Sequence, residues 1–139
     1  MRDAANVRFI LDASVTITWA MADETHPVAD RAFNELRTGA AIVPEIWWYE
    51  VRNILVVNER RGRIQSSAVD RFIKDLQDLR IEIDRHHGSS AVLDMARTQR
   101  ITVYDAAYLS LAVRERLPLA TLDKNLRRAA SAVHIALLD

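Results

Sequence analysis

Short apolar runs alternate along this chain with longer stretches whose apolar residues recur at helical spacing. Val7-Arg8-Phe9-Ile10-Leu11 ends at Asp12 and reads as a buried strand, with a helix from Ser14 to Ala22 behind it. Pro27 suits the first turn of a helix that runs to about Arg37 and stops at Gly39. Ala41-Ile42-Val43 predicts a second strand, after which Pro44 opens a long helix through Arg61, closed by Gly62. A helix capped by Ser66 or Ser67 reaches about Leu79, with Val69, Phe72, Ile73 and Leu76 on one face. Ile81-Glu82-Ile83 predicts a third strand and Leu119-Ala120-Thr121-Leu122 a fourth. Helices are expected over Ser90 to Thr98, Tyr104 to Arg116 and Asn125 to Ala132, and His134-Ile135-Ala136-Leu137 closes the chain as a fifth strand.

Five short apolar strands separated by helices predict an α/β fold, a three-layer α/β/α sandwich around a central, mainly parallel five-stranded sheet. Ligands of such sheets bind beyond the carboxyl ends of the strands. Asp12 ends the first strand and Asp123 follows the fourth, so both are expected on that rim.

Length adds that one domain over residues 1–139 is enough, since a chain of this size buries roughly 70% of its unfolded surface. With no cysteine, thiolate zinc sites, Fe–S clusters, thiol nucleophiles and disulfide frameworks are excluded. No run approaches the length of a membrane span, and Met1-Arg2-Asp3 does not open a signal peptide. A cytoplasmic protein is expected. The zero net charge conceals an asymmetry, with 8 acids against 4 bases in residues 1–50 and 11 against 15 in the remainder. The clusters Arg60, Arg61, Arg63 and Lys124, Arg127, Arg128 permit phosphate contacts without announcing them.

Most chemistries fail on residue type or spacing. Gly39, Gly62 and Gly88 stand alone, so there is no phosphate loop, and no Gly-x-Ser-x-Gly elbow exists. The four histidines lack ligand spacing, and His86-His87 sits in a charged loop that favours solvation. Trp47, Trp48 and Tyr49 offer faces for base stacking, but their helix is rich in aliphatics, which favours core or interface packing.

Carboxylates remain. Asp12, Glu50, Asp105 and Asp123 each lie beside an apolar segment, and each singly has an ordinary role as a helix cap or ion-pair partner. Together they say more. If they converge, each pair within about 4 Å repels by roughly 4 kcal/mol at an effective dielectric of 20, unless a cation neutralises the cluster. An all-oxygen set favours Mg²⁺ or Mn²⁺ over Zn²⁺. The gaps of 38, 55 and 18 residues leave convergence to the fold.

Four blocks in order, Phe9-Ile10-Leu11-Asp12-Ala13-Ser14, Trp47-Trp48-Tyr49-Glu50-Val51-Arg52-Asn53, Val103-Tyr104-Asp105-Ala106-Ala107-Tyr108-Leu109 and Leu119-Ala120-Thr121-Leu122-Asp123, resemble those of PIN domains, above all VapC-type toxins of toxin–antitoxin pairs. The resemblance implies a metal-dependent ribonuclease, usually dimeric, inhibited by a small partner protein. By position it makes Asp12, Glu50 and Asp105 the acidic triad and Asp123 the fourth acid, around one or two Mg²⁺ or Mn²⁺ ions. It places Ser14 and Asn53 as supporting residues and leaves the Arg and Lys clusters to hold the RNA backbone. The helix from Trp47 to Val57 offers an apolar face for a homodimer or for the inhibitor's helix. Two rival readings stay open: a haloacid-dehalogenase-like phosphatase using Asp12, against which the missing second Asp of Asp12-Ala13-Ser14-Val15-Thr16 counts, and a non-catalytic nucleic-acid or protein-binding module.

Overall fold

The computed structural model describes residues 7–86 and 90–139; Met1-Arg2-Asp3, His87 and Gly88 lie outside them. Four strands, β1 (Arg8–Leu11), β2 (Ala40–Pro44), β3 (Ile81–Asp84) and β4 (Leu119–Ala120), form one parallel sheet in the order β3-β2-β1-β4. Phe9, Ile10 and Leu11 are all fully buried. Because successive strand side chains point to opposite faces, three such residues in a row require both faces to be covered.

Seven helices supply the cover: α1 (Ala13–Thr18), α2 (Pro27–Glu35), α3 (Glu45–Arg60), α4 (Ser66–Gln77), α5 (Ala91–Gln99), α6 (Val103–Glu115) and α7 (Lys124–Ala132), counted among the described residues. One group packs α1 on α2 and α3, with α3 against β2, α2 against β4 and α4 on α3. In the other, α6 lies on β1 and β2, and α5 and α7 pack on α6. The result is the expected α/β/α sandwich.

The expected fifth strand shrinks to a single bridge between Leu137 and Leu119. After α7 the chain turns through His134 in the left-handed region, φ 61°. Only Leu119 N–H to Ala136 O and Leu138 N–H to Leu119 O, each 2.9 Å, then join it to the two-residue β4. The run His134–Leu137 has the alternation of a strand without its pairing: Ile135 and Leu137 are half-buried against the core while His134 and Ala136 are exposed.

Other boundaries shift for identifiable reasons. Pro44 ends β2 in extended backbone rather than opening the helix, which starts at Glu45. Ser66 occupies the first position of α4, behind Gln65 as the boundary residue, so neither Ser66 nor Ser67 is its cap. Gly39 follows α2 by a short turn, and its importance is proximity: a Cβ there would stand 1.9 Å from the Val7 carbonyl oxygen. Trp47 is core, whereas Trp48 and Tyr49 on the same helix are exposed, so the three aromatics divide.

Gly39 and Gly62 make opposite demands. Gly62 is left-handed (φ 74°) with nothing near its missing Cβ. Gly39→Ala should therefore destabilise by ~2 kcal/mol or more, because backbone must move. Gly62→Ala should cost about 1 kcal/mol in left-handed strain. Chemical denaturation of both variants checks this ranking; equal losses would mean the β1–β2 approach is not tight.

Candidate active site

The strand order reverses between β1 and β4, and the site forms in that crevice, where open parallel sheets bind ligands. Asp12 continues the β1–β4 register one residue past the strand, its N–H donating to Ala120 O at 3.0 Å. Its backbone precedes α1, but its side chain makes no capping bond. Instead Thr121 Oγ1 and Ser14 Oγ both donate to Asp12 Oδ2, each at 2.7 Å. The donors are aimed in turn. Asp123 N–H donates to Thr121 Oγ1 (3.1 Å) and Leu122 N–H to Ser14 Oγ (3.0 Å), so each hydroxyl proton is left for the carboxylate. Arg127 donates to the Thr121 carbonyl (2.9 Å) and closes the loop from behind.

Three further acids arrive from three directions. Asp123 caps α7, its Oδ1 accepting from Leu126 N–H at 3.0 Å. Asp105 sits in the first turn of α6, where Thr102 Oγ1 accepts from its N–H at 3.0 Å. A carboxylate there faces the positive end of the helix. Glu50 lies in the second turn of α3, and the fully buried Tyr108 donates its hydroxyl to Glu50 Oε1 at 2.6 Å. Tyr108 is one turn beyond Asp105 on α6, so the helix that carries one acid also orients another.

The charges crowd one another. Burial raises the pKa of Asp12 against its hydroxyl and backbone bonds, with Asp123 adding repulsion. Burial also raises Glu50, opposed by Tyr108 and reinforced by Asp12 and Asp105. Asp105 is pushed to about 6 by burial first, then by Asp123 and Asp12. Tyr108 is itself driven far upward by burial and the neighbouring acids, so it stays a donor.

Four mutually repelling carboxylates with no cysteine suit a hard divalent cation by donor type and charge. Among the described residues no three His, Asp or Glu side chains close into a ready-made cage. An open set fits Mg²⁺, which is held by one or two carboxylates and completes its shell with water.

Two contributors escaped the sequence reading. Thr121 is the first hydroxyl after an apolar strand and Tyr108 is one helical turn from Asp105; both signals were present in the sequence, though neither residue type is a metal ligand by habit. Ser14 hydrogen-bonds the Asp12 carboxylate. Asn53 is exposed one turn beyond Glu50. The basic residues divide. Lys124 follows Asp123 directly and is exposed, while Arg128 donates to Gln99 O and Arg127 also pairs with Asp139. Arg60 is ten residues down α3 from Glu50, about 15 Å at helical rise, with Arg61 beyond it. Arg63 is committed to Asn58, Asp23 and Glu24. The structure therefore does not bring Arg60, Arg61 and Arg63 to the acids.

A strand-end acidic crevice in a β3-β2-β1-β4 parallel sandwich defines a class, and the PIN domain family model matches residues 9–132. The chain belongs to the PIN domain family. Among its relatives is Ribonuclease VapC3 of Pyrobaculum aerophilum, 27% identical over 123 residues, covering 86% of this chain and 92% of that one. The crystal structure of PAE2754, also from Pyrobaculum aerophilum, superposes with a TM-score of 0.69 at 25% identity, covering 89% of this chain and 86% of the other.

The raised pKa values carry a sign. Folded Asp105 holds its proton more tightly than the unfolded chain does, so stability falls as pH rises from about 4 through about 6 and the penalty is complete above that. Asp105→Asn should gain on wild type across that window by of order 1 kcal/mol, since solvent screens a half-exposed group. Melting curves at about pH 4 and pH 7.5 test it; a pH-independent difference would count against the crowding. Tyr108→Phe should leave Glu50 desolvated without its donor and raise its pKa further, which a carboxyl NMR titration would detect.

Proposed function

We propose that this chain is a ribonuclease of the VapC toxin kind that hydrolyses RNA phosphodiester bonds with Mg²⁺ or Mn²⁺ bound at Asp12, Glu50, Asp105 and Asp123. The observation that carries the reading is the gathering of four acids from β1, α3, α6 and the β4–α7 turn into one crevice, where three of them have raised pKa values. Such repulsion is relieved when a divalent cation is bound among the acids. The name of the VapC3 relative supports the same substrate class.

When bound, the ion lowers the pKa of water and neutralises charge on the scissile phosphate. The residues of the chain do the rest. Asp12, fixed by Thr121 and Ser14, and Asp105, at the start of α6, are the direct ligands that set where the phosphate lies. Asp123 divides its carboxylate, one oxygen capping α7 and the other available to the ion or its water. Glu50, held by Tyr108, is oriented to accept the proton of the attacking water. Lys124 is the basic residue best placed for the RNA backbone, with Arg127 and Arg128 beside it and Asn53 on the rim near Glu50. A homodimer and a small inhibitory protein complete the reading, which places the enzyme in the cytoplasm. No helix among the described residues is long and apolar enough to cross a membrane.

With Mn²⁺ or Mg²⁺ the purified protein should cleave cellular RNA. Asp12→Asn and Glu50→Gln should each lower the rate at least about 100-fold while melting normally. Mn²⁺ should raise the melting temperature of wild type but not of Asp12→Asn. Growth arrest on expression, relieved by Glu50→Gln, gives the cellular counterpart. Metal-independent cleavage, or full activity in a folded Glu50→Gln protein, would refute the mechanism.

A further inference from the structure

The exposed large aromatics among the described residues are Phe33, Trp48, Tyr49 and Tyr104. Phe33 packs edge-on against Trp19, whereas the other three each lie within two residues of Glu50 or Asp105. Trp48 is 40% and Tyr49 64% exposed, and their rings meet edge to face at 5.0 Å. With Glu45, Ile83 and Arg85 they line a shallow cleft of about 200 Å³. Ile83 and Arg85 come from the end of β3, and Glu45 and Trp48 from the start of α3 directly after β2; Pro44 and Asp84 are register partners.

The cleft therefore opens on the same strand-end rim as the acids. In the order β3-β2-β1-β4 it lies two strands from Asp12, roughly 10 Å at ordinary strand spacing. On α3, 3.6 residues per turn put Trp48 and Glu50 on opposite flanks with Tyr49 on the crest between them. Tyr49 therefore lines the cleft and stands between it and Glu50.

Its chemistry is that of a nucleotide. The guanidinium carbon of Arg52 stands 3.6 Å from the Trp48 ring centroid, and Arg85, held by Glu45 at 3.0 Å, borders the cleft with a side chain 71% exposed. Aromatic faces take the base and guanidinium groups the flanking phosphates. Only an unpaired, unstacked base presents its faces to such a corner.

We propose that this cleft is a nucleobase subsite, in which an unpaired base of the RNA strand beside the scissile bond stacks on one of the Trp48 and Tyr49 rings and meets the other edge-on, while Arg85 and Arg52 meet adjoining phosphates. The proposal rests on the ribonuclease reading above and requires the base held in the cleft to be unpaired. The cleft holds an unpaired base beside the cleavage point without reading its identity, because every base offers a face to stack.

Short dye-labelled 2′-O-methyl RNA oligonucleotides, which bind without being cut, test it through fluorescence anisotropy, with the tryptophan emission of the wild type read alongside. Single strands should quench the exposed Trp48, and duplexes of the same sequence should not. Trp48→Ala and Tyr49→Ala should each weaken binding about tenfold, Trp48→Phe should retain most of it, and KM for a cleavable strand should rise with kcat little changed. Unchanged affinity in both alanine variants, alongside a wild type that binds and cuts RNA, overturns the subsite alone. Loss of self-association in light scattering with RNA affinity intact also overturns it and makes the surface a protein interface. A wild type that neither binds nor cuts any RNA overturns the ribonuclease reading together with it.

Discussion

A carboxylate buried between two parallel strand ends must be given donors or it will not stay there. Asp12 is only 6% exposed, and an unpaired ionised group so placed would cost several kcal/mol. Thr121 and Ser14 supply the donors, and backbone N–H groups of the β4–α7 turn aim them. These bonds join the ends of β1 and β4 and hold the turn after β4, which Arg127 braces from behind. A third hydroxyl extends the arrangement to the helices: Thr16 donates to the Asp12 carbonyl and accepts from the Trp47 indole at 2.9 Å, which ties α3 to the same point. Trp47 thus holds the helix bearing Glu50 in relation to the strand bearing Asp12.

The other acids are attached less rigidly. Asp105 and Asp123 sit at helix starts, where N–H groups and the helix dipole favour negative charge. Glu50 depends on Tyr108, whose ring is buried in the core and whose hydroxyl emerges at the crevice. Core packing and acid orientation are therefore carried by one side chain. The neighbouring cations are engaged elsewhere and leave the repulsion unrelieved: Arg63, Arg85 and Arg114 each answer another acid, at Asp23 and Glu24, Glu45, and Asp84. No basic side chain among the hydrogen bonds and ion pairs reported above is spent on Asp12, Glu50, Asp105 or Asp123, an arrangement that leaves the crevice net negative and attractive to a divalent cation.

Exposure on α3 follows from the same geometry. The helix must present Trp47, Val51 and Leu55 to the core and Glu50 to the crevice, which leaves Trp48 and Tyr49 outward at its rim end. An apolar surface at the mouth of a charged crevice is where a polymer with alternating charged and aromatic parts finds both.

The order of strands and helices, the rim position of Asp12 and Asp123, and the resemblance at Glu50 and Asp105 were all readable from the chain, because apolar periodicity and the residues that follow strands are local properties. What the chain alone left undecided was of a different kind. His134–Leu137 has the composition of a strand but not the pairing, since pairing depends on how far β4 extends beside it. The arginines after α3 have the composition of a phosphate clamp but lie about 15 Å down the helix or are already paired. Trp47 and Trp48 are identical residues side by side, and the 100° between them makes one core and the other surface. Whether Glu50 and Asp105 meet across 55 residues is settled by Tyr108 packing between their helices. Local pattern determines which elements form and which side chains are eligible; only the packing of those elements decides which eligible groups share a space, because distance between residues remote in sequence is a property of the folded core.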